Sequence, residues 1–563
     1  MSSHTQKKDI KMLKFNEISY RDELAEFLNI PLKKLTYILY VKKVDSYYTS
    51  FQIPKKNGDY RSIDAPYGDL KYIQKILAIK LWEYHNKYTS DNNINMKVSH
   101  AFEKKKSIIT NAIIHKNKRF ILNIDLSDFF ASFHFGRVRG FFEKNKEFNL
   151  PIEVATIIAQ LTCYKGHLPQ GAPSSPIISN LICNILDMRL LGISQKYKLD
   201  YTRYADDMTF STNDFKFIYL VDDFMKEITK EIEKSGFSIN NKKTRFVFND
   251  SRQEVTGLVV NKKISVNRDY CKKTRAMADS LYRKGEYVIN GSKGTIQQLE
   301  GRFAFINQID RFNNNFNYVK HKIWDFNSRE KQYQKFLFYK YFYANTKPLI
   351  VTEGKTDILY IKAALKKYYY KYPELIFKKD EDYIFNISFL KRSSFLEYFL
   401  NIYQDGADAI KNIYNFYVGN NHYPNLYEFF LEKSSLKPKN PVILIFDNEQ
   451  NSDRPLKKFL NHIKIDSKNF KSGQCIYANI YLITNPLVKG KAECEIEDLF
   501  EETILENVIE DKKFSREKKY DINKFYGKDI FSKYINDNYK TINFDGFIPI
   551  LDDINKVVTN MDF

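Results

Sequence analysis

The sequence predicts an α+β region followed by an α/β domain with a parallel sheet, and three observations support this fold class. The net charge of +21 is concentrated early in the chain, because roughly 32 basic residues balance roughly 32 acidic ones after residue 345. The run YTRYADDMTFST roughly alternates apolar and polar residues, which is typical of a β-hairpin. The run PVILIFDNE is continuously apolar before its acidic end, which is typical of a strand buried in a parallel sheet.

Composition narrows the class of protein further. The 563 residues allow about two to four domains. The 5 cysteines form no CxxC pair, so we expect reduced thiols rather than disulfides or a zinc site. No apolar run approaches the roughly 20 residues of a membrane span, and the N-terminus lacks the apolar core of a signal peptide. We therefore expect a cytoplasmic protein with no membrane partner.

The early basic region is interleaved with Tyr and Phe, which favours phosphate contacts and base stacking. An AT-rich genome would also enrich Lys, Asn, Ile and Tyr. That bias would act on both parts of the chain and does not explain the asymmetry. The first part is therefore predicted to bind nucleic acid.

Three aspartates are predicted to meet at the hairpin. Asp125 ends an apolar strand in RFILNIDLSDFFASF, and Asp206 and Asp207 lie at the hairpin tip. Aspartate is also common in solvated turns, so the hairpin alone does not decide. Three clustered carboxylates suit two Mg²⁺ ions, which prefer carboxylates, water and substrate phosphates. Two such ions can activate an attacking 3′-hydroxyl and stabilise a leaving pyrophosphate.

These motifs resemble those of reverse transcriptases. YADD is similar to the YxDD box, and Asp125 is similar to the aspartate of the first palm motif. The resemblance implies an RNA-directed DNA polymerase with fingers, palm and thumb, two Mg²⁺ ions and dNTP substrates. It implies four further roles: Phe130 as a steric gate against the ribonucleotide 2′-hydroxyl, Gln170 and Gly171 against template and nucleotide, Lys243 as proton donor to pyrophosphate, and Lys55, Lys56 and Arg61 at the triphosphate. Which of the two lysines points inward stays open.

Two short boxes resemble those of retron reverse transcriptases. Asn111 to His115 read NAIIH, similar to the NAxxH box, and Val255, Thr256 and Gly257 match the VTG box. The resemblance covers roughly residues 30 to 340. It implies recognition of a cognate non-coding RNA, priming from a 2′-hydroxyl in it, and a branched RNA–DNA product called msDNA. A group II intron-like or diversity-generating reverse transcriptase is the alternative.

The stretch LIVTEGKTDI contains Gly-Lys-Thr, which could close a phosphate-binding P-loop. A P-loop needs its first glycine at position 349, where Leu349 stands. Apolar residues instead continue a strand, and Glu353 follows it before a glycine turn and a helix. Open α/β sheets place their sites at the carboxyl ends of strands, so Glu353 is a candidate metal ligand.

Two more acidic segments follow apolar strands. Asp447 and Glu449 end PVILIFDNE, and ECEIEDLF contributes Glu495, Glu497 and Asp498. The pattern resembles the TOPRIM fold, nearest to the overcoming-lysogenization-defect nucleases, although Glu449 stands where that pattern has aspartate. The resemblance implies Mg²⁺ or Mn²⁺ held by Glu353, Asp447, Glu449 and Glu497, and cleavage of DNA or of RNA such as tRNA. Glu353 has an alternative role as general acid or base.

Four domains are expected: reverse transcriptase fingers and palm in residues 1–260, a helical RNA-binding thumb in 261–345, a TOPRIM domain in 346–505 with a helical insertion at about 376–440, and a helical extension in 506–563. By resemblance, the nuclease is a toxic effector held silent by the bound msDNA in a homo-oligomer, for bacterial antiphage defence. In the alternative, the TOPRIM domain is an inactive assembly module and only reverse transcription matters.

Overall fold

The computed structural model describes residues 14–55, 58–94, 98–314, 322–403, 406, 408–420, 422–449, 451, 454–488, 490–517 and 519–560. Lys56, one of the predicted triphosphate ligands, lies outside the described residues. The chain divides into two compact units, Met1–Asn267 and Arg268–Phe563. The four-domain division stays a prediction.

The first unit contains nine strands and eight α-helices within its described residues. The strands are β1 Tyr48–Pro54, β2 Tyr60–Pro66, β3 Phe120–Asp125, β4 Asp200–Tyr204, β5 Asp207–Thr212, β6 Arg245–Phe248, β7 Glu254–Val255, β8 Leu258–Val259 and β9 Ser265–Val266. The helices are α1 Arg21–Phe27, α2 Leu32–Thr36, α3 Gly68–Asp91, α4 Ile108–Ala112, α5 Phe135–Lys144, α6 Ile152–Thr162, α7 Ser175–Lys196 and α8 Val221–Lys234.

A four-stranded sheet forms the centre of the first unit. Its strand order is β4-β5-β3-β6, with antiparallel pairing between all neighbours. Alternate side chains such as Leu122 and Ile124 of β3 and Met208 and Phe210 of β5 are buried in one hydrophobic core. Because β3 and β5 are antiparallel, the carboxyl end of β3 meets the start of β5, and this brings their terminal aspartates together.

Strands β1 and β2 form a hairpin, paired from Tyr48 opposite Pro66 to Pro54 opposite Tyr60. Most of β1 is exposed, which leaves one face of the hairpin free for a ligand. A second small sheet, β7-β8-β9, ends the unit.

Helix α7 corrects one sequence expectation. It has 22 residues and a mean hydropathy of 1.4, so by length and composition it could cross a membrane. The expectation that no segment qualifies is therefore wrong. Most of the apolar stretch is buried, and Cys183, Leu186 and Leu190 belong to the core of the unit. A buried core helix passes the same test, so this helix is weak evidence for a membrane.

The second unit contains eleven α-helices and eleven strands within its described residues. The helices are α9 Arg268–Lys284, α10 Ile296–Asn313, α11 Ser328–Phe338, α12 Asp357–Lys367, α13 Ser394–Leu400, α14 Asp408–Val418, α15 Leu426–Lys433, α16 Pro455–His462, α17 Glu502–Leu505, α18 Lys528–Asp537 and α19 Ile548–Thr559. The strands are β10 Val288–Ile289, β11 Ser292–Lys293, β12 Leu349–Thr352, β13 Ile376–Lys379, β14 Asp382–Phe385, β15 Ser388–Phe389, β16 Val442–Phe446, β17 Gln474–Tyr477, β18 Ile480–Thr484, β19 Lys513–Phe514 and β20 Phe525–Tyr526.

A five-stranded sheet organises this unit, in the order β15-β12-β16-β18-β17. The first four strands are parallel and β17 is an antiparallel edge. Leu349 and Val351 belong to a core that includes α9, α10 and α11, whereas Ile350 belongs to a core that includes α12, α18 and α19. Successive side chains of a strand point to opposite faces, so the sheet is covered on both sides. The continuous apolar run in β16 follows from this.

The segment expected to be a helical insertion at about 376–440 is only partly helical. It begins with the antiparallel hairpin β13–β14, and β15 then pairs in parallel with β12 as an edge of the main sheet. The run IFKKDEDYIF is rich in aromatic and β-branched residues around Asp380, which has a left-handed φ of 54° at the turn. Helices α13 to α15 follow. The region after residue 505 likewise adds the short parallel pair β19–β20 to its helices.

Candidate active sites

Three aspartates meet at one edge of the sheet of the first unit. Asp125 is the last residue of β3 and lies opposite Asp207, the first residue of β5. Asp206 lies in the tight turn between β4 and β5, where Ala205 adopts a left-handed φ of 58°. The backbone N–H of Leu126 donates to the Asp206 carbonyl at 3.0 Å, which ties this turn to the end of β3.

Burial and mutual repulsion perturb these carboxyls. Burial, reinforced by Asp206 and Asp125, raises the pKa of Asp207 to about 6. Burial also raises the pKa of Asp206, and Asp125 adds to the effect. Lys243 Nζ donates to both carboxylate oxygens of Asp125 at 3.0 Å, and this bond raises the lysine pKa. Added positive charge would stabilise the ionised cluster, so the donors suit a hard cation such as Mg²⁺.

The described residues contain no group of three or more His, Cys, Asp or Glu side chains that could hold a metal ion as arranged. The Lys243 ammonium holds both oxygens of Asp125 in this conformation. Metal binding therefore requires this lysine to move, and the side chain is 62% exposed.

Other predicted residues surround the three aspartates. The loop of Gln170 and Gly171 contacts the β1–β2 hairpin, since the Asp64 N–H donates to the Gln170 carbonyl at 2.9 Å. Phe130 is half-buried, with its ring centroid 5.3 Å from that of Phe129. Arg61 is exposed on β2. Its positive charge opposes the rise in the Asp206 pKa, so this charge reaches the cluster. Lys55 is exposed at the end of the hairpin.

The sequence did not predict a buried ion pair that lies next to the β4–β5 hairpin. Arg203 on β4 donates to Asp187 on α7 from Nε at 2.8 Å and from Nη2 at 2.7 Å. Arg203 Nη1 donates to the Ala205 carbonyl at 3.2 Å, and Tyr201 donates to Asp187 at 3.0 Å. An acid inside the apolar run LICNILDMRLLG was the available signal, because buried acids need partners.

The two short boxes pack on each other and under the sheet. The Thr256 hydroxyl donates to the Ile108 carbonyl at 3.3 Å, which joins the VTG turn to α4. His115 is fully buried, with its ring nitrogens 2.7 Å from the hydroxyls of Ser211 and Thr202. Burial, with a lesser effect of nearby cations, lowers the pKa of His115 to about 3.

The two boxes are largely buried, and their recognition of RNA stays a prediction. Asn111, His115 and Val255 are each at most 1% exposed, so their side chains support the fold. Thr256 is half-buried and Gly257 is exposed, at a turn with a left-handed φ of 78°. Of the eight residues in the two boxes, Gly257 at this turn is the exposed one.

A second acidic cluster lies at the carboxyl ends of β12 and β16 in the second unit. Glu353 follows β12, and Asp447 and Glu449 follow β16, as predicted. Asp447 accepts from the Asn485 side chain at 2.7 Å and from the Ile496 N–H at 2.9 Å, which brings the segment of Glu497 to the same place. Glu449 pairs with Arg454 at 3.3 Å. The structure therefore brings three acidic segments together.

Two members of this cluster were not predicted. Asp357, four residues after Glu353, accepts from the Gly354 N–H at 2.7 Å. Lys528, from α18, donates to the fully buried Glu497 at 3.0 Å and lies 3.5 Å from Glu495. Asp357 directly follows Gly-Lys-Thr, close to Glu353, and this position could have indicated its role. Nothing near Lys528 in the sequence indicated its position.

The electrostatics of this cluster favour protonation. Burial, with Asp357 and Glu449, raises the pKa of Glu353 to about 7. Burial raises the pKa of Asp447 well above its usual range, and neighbouring acids add to this. Among the described residues, no hydrogen-bond partner reaches the buried Glu353 Oε2. Lys528 opposes the rise at Asp447 and Glu449. The oxygen donors and this excess of acids fit a hard divalent cation.

Comparisons with known proteins match the first unit and the start of the second. Residues 53–274 match the family described as "Reverse transcriptase (RNA-dependent DNA polymerase)". The Retron Ec86 reverse transcriptase of Escherichia coli is 33% identical over 290 residues, covering 51% of this chain and 84% of that protein. The Retron Mx162 reverse transcriptase of Myxococcus xanthus is 32% identical over 215 residues, covering 35% of this chain and 42% of that protein.

A solved telomerase structure from Candida albicans, with a fragment of telomeric RNA, also matches. Its TM-score is 0.30 at 14% identity, over 52% of this chain and 60% of that chain. A TM-score this low supports no conclusion about the present chain. The family match ends at residue 274, before the five-stranded sheet begins.

Proposed function

The chain belongs to the retron reverse transcriptases, and on that premise we propose that its first unit copies a cognate non-coding RNA into DNA and leaves the product joined to that RNA as msDNA. One observation carries the assignment of the active site. Asp125 lies opposite Asp207 in the sheet, with Asp206 in the adjoining turn. In this proposal, the growing strand and the triphosphate meet at these three carboxylates.

In the proposed reaction, the terminal hydroxyl of the primer attacks the α-phosphate of a dNTP and pyrophosphate leaves. Asp125, Asp206 and Asp207 would hold two Mg²⁺ ions. When bound, Mg²⁺ activates the hydroxyl and stabilises charge on the leaving group. Arg61 and Lys55 on the exposed hairpin orient the triphosphate. Lys243 turns from Asp125 towards the pyrophosphate and supplies its proton.

The nucleotide pocket is completed by Phe130 and the loop of Gln170 and Gly171. A half-buried ring at Phe130 excludes a ribonucleotide 2′-hydroxyl by steric contact. Gly171 has a left-handed φ of 126°, and a Cβ there would lie 2.8 Å from Ile63 Cγ2. The absence of that Cβ allows the loop to pack closely on β2 beside the template.

The test compares Asp207→Asn and Asp125→Asn with wild type in dNTP incorporation on a primed RNA template with Mg²⁺. We expect each variant to lose about 100-fold or more in kcat, because a cluster acting as a unit fails when one member is lost. Asp223→Asn, on the exposed first turn of α8, is the matched control and should retain activity. Full incorporation by either cluster variant would contradict the assignment.

Co-expression with the neighbouring genomic RNA, followed by isolation of a branched RNA–DNA product, tests the msDNA step.

For the second unit, we propose metal-dependent phosphodiester cleavage at the cluster of Glu353, Asp447, Glu449 and Glu497. The supporting observation is the convergence of three acidic segments at the carboxyl ends of parallel strands. The buried Glu353 Oε2 also has no hydrogen-bond partner among the residues that the structure describes. Such a site resembles a TOPRIM nuclease centre, with Mg²⁺ or Mn²⁺ as cofactor. DNA or an RNA such as tRNA would be the target.

The nuclease is tested with labelled DNA and RNA in Mn²⁺, comparing wild type, Glu353→Gln and the exposed control Glu381→Gln. Cleavage that disappears only in Glu353→Gln supports the proposal. If wild type cleaves neither substrate, with or without bound msDNA, the inactive assembly module becomes the better account.

The biological proposal is antiphage defence in the bacterial cytoplasm, with the nuclease silenced in a homo-oligomeric complex with msDNA. It rests on the family resemblance alone. Phage plaquing on cells carrying Asp206→Asn or Glu353→Gln tests it. Protection equal to wild type in both variants would exclude this role.

A further inference from the structure

Asn485 lies at the carboxyl end of β18, the third parallel strand that reaches the acidic cluster of the second unit. Thr484, the last residue of β18, pairs with Phe446, the last residue of β16. Asn485 and Asp447 therefore follow their strands side by side. Because parallel strands end at one edge of the sheet, Asn485 joins the edge that carries Glu353 and Asp447.

The side chain of Asn485 fixes the orientation of the Asp447 carboxylate. Its Nδ2 donates to Asp447 Oδ1 at 2.7 Å, and the Ile496 N–H donates to the same oxygen at 2.9 Å. Two donors on Oδ1 hold the plane of the carboxylate and leave Oδ2 for another ligand. Outer hydrogen-bond partners orient the ligand carboxylates of metal centres in the same way.

Asn485 is itself held in place through its backbone. Its N–H donates to the Phe446 carbonyl at 3.1 Å, and its carbonyl accepts from Asn448 Nδ2 at 2.9 Å. The residue is 1% exposed. The direction of its amide group is therefore set by the fold.

The amide oxygen of Asn485 is buried without a hydrogen-bond partner among the described residues. A buried acceptor without a partner costs about 1–3 kcal/mol, so a ligand that pairs with it would stabilise the fold. Glu353 Oε2, at the end of the neighbouring region of the sheet, is buried in the same condition. Carboxylate and amide oxygens together are the donors that hard divalent cations take.

A second buried asparagine shows what separates this position from an ordinary core amide. Asn479 precedes β18 at the other edge of the sheet, is 0% exposed, and has an Oδ1 that also lacks a partner among the described residues. Its Nδ2 donates to the backbone carbonyls of Phe342 and Asn440. Asn485 instead donates to an acidic side chain, which makes Asn479 a matched control.

We propose that Asn485 completes the cation site of the second unit, with its Nδ2 positioning Asp447 and its Oδ1 serving as a neutral ligand beside the carboxylates. The inference rests on the proposed cation site and deepens it, because it adds an uncharged donor from a third strand. A neutral donor contributes to coordination without adding to the repulsion among the buried acids. The bound cation would join the ends of β12, β16 and β18.

Hydrogen–deuterium exchange of the full chain, followed by mass spectrometry, measures cation binding here separately from the cluster in the first unit. Mn²⁺ alone is added from about 0.01 to 10 mM, without nucleic acid. Peptides that span residues 349–358, 442–449 and 480–488 should exchange about threefold or more slowly, with one common midpoint, whereas the peptide of α14 should not change. Slower exchange in the first two peptides but not in 480–488 would overturn the proposal.

Matched variants test the contribution of the side chain. Asn485→Ala should raise the Mn²⁺ concentration for half-maximal protection of residues 349–358 by about 10-fold or more. Asn479→Ala removes a buried amide that contacts no carboxylate, so its midpoint should stay within about twofold of wild type. Asn485→Leu is a second variant, which keeps the branched shape and removes both polar atoms. Thermal unfolding identifies the variants that are folded at the assay temperature, and an unchanged midpoint in a folded Asn485 variant would overturn the proposal.

Cleavage assays on the same proteins separate this inference from the nuclease proposal. If wild type binds Mn²⁺ with the expected dependence on Asn485 but cleaves neither DNA nor RNA, the inference stands and the nuclease assignment alone fails. If Asn485→Ala binds Mn²⁺ and cleaves as wild type does, the nuclease stands and the inference fails. An absence of Mn²⁺ protection in the wild type would overturn both.

Discussion

Arg203 and Asp187 form an ion pair in the interior of the first unit, joined by two hydrogen bonds of 2.8 and 2.7 Å. The two residues are 0% and 3% exposed. Because Arg203 also donates to the Ala205 carbonyl, the pair connects α7 to the turn that carries Asp206. The position of this aspartate therefore depends on a helix that contributes no carboxylate to the cluster.

Arg203→Lys should lower kcat for dNTP incorporation by about 10- to 100-fold, because lysine keeps the charge but not the planar fork that holds both partners. KM for the dNTP should change less than about threefold, since the β1–β2 hairpin proposed to bind the triphosphate is untouched. Steady-state kinetics on a primed RNA template measure both. Arg189→Lys is the control, because Arg189 of α7 forms a half-exposed pair with Glu231 of α8, and this variant should behave as wild type.

A general loss of folding is the competing explanation for the Arg203 variant, because broken buried pairs cost about 3–5 kcal/mol. Thermal unfolding of the same preparations separates the two. A lowered kcat in a variant that is still folded at the assay temperature supports positioning. An unchanged kcat in that folded variant would contradict it.

Gly171→Ala should displace the loop of Gln170 from the β1–β2 hairpin. The new Cβ would lie 2.8 Å from Ile63 Cγ2, closer than real contacts allow, and 3.0 Å from the Asp64 carbonyl oxygen. We expect kcat/KM for the dNTP to fall by about 10-fold or more, because the loop and the hairpin enclose the nucleotide together in the proposed site. Single-nucleotide incorporation measures this.

Gly192→Ala is the matched control for that substitution. Gly192 lies within α7, and a Cβ there meets no atom within 4 Å. Alanine stabilises a helix relative to glycine, so this variant should keep activity and gain up to about 1 kcal/mol of stability. A loss in both variants would indicate a preparation effect rather than the clash.

The four-stranded sheet of the first unit could be predicted because its signals are local. Alternation in YTRYADDMTFST specifies two antiparallel strands, and an apolar strand that ends in Asp125 places this residue at the same edge. The same holds for Glu353 and Asp447, since buried parallel strands end on one side of the sheet.

The partners of these residues could not be predicted, because they are brought in by tertiary packing. Lys528 reaches Glu497 only through the docking of α18, and a lysine at a helix start is ordinarily solvated. His115 looked like part of a recognition box, since short polar motifs do not reveal burial. The hairpin β13–β14 lies in the segment expected to be a helical insertion, and its charged turn interrupts the strand pattern.

The rate of DNA synthesis should depend on pH and Mg²⁺ together. Below about pH 6 the Asp207 carboxyl is protonated and cannot hold a cation, so activity should fall as pH decreases through that value. Mg²⁺ competes with the proton, and raising it from about 0.5 to 20 mM should move the midpoint to lower pH. Initial rates between pH 5 and 8 measure this, with RNA binding as control. A midpoint independent of Mg²⁺ would contradict the role of the carboxyl as a cation ligand.

His115 should make the first unit less stable in mild acid. Its pKa is about 3 in the fold against about 6.5 in the unfolded chain, so the unfolded chain binds the extra proton as pH falls below 6.5. The contribution of neutral His115 to the free energy of unfolding is complete above pH 6.5 and is lost progressively as pH falls to about 3. At pH 5 the loss amounts to about 2 kcal/mol.

Urea unfolding followed by Trp82 fluorescence, with Trp324→Phe removing the other tryptophan, measures this loss of stability. His115→Gln keeps hydrogen-bonding groups without titrating, so its stability should fall about 2 kcal/mol less between pH 7.5 and 5. An equal fall in both proteins would show that His115 does not stay neutral in the fold.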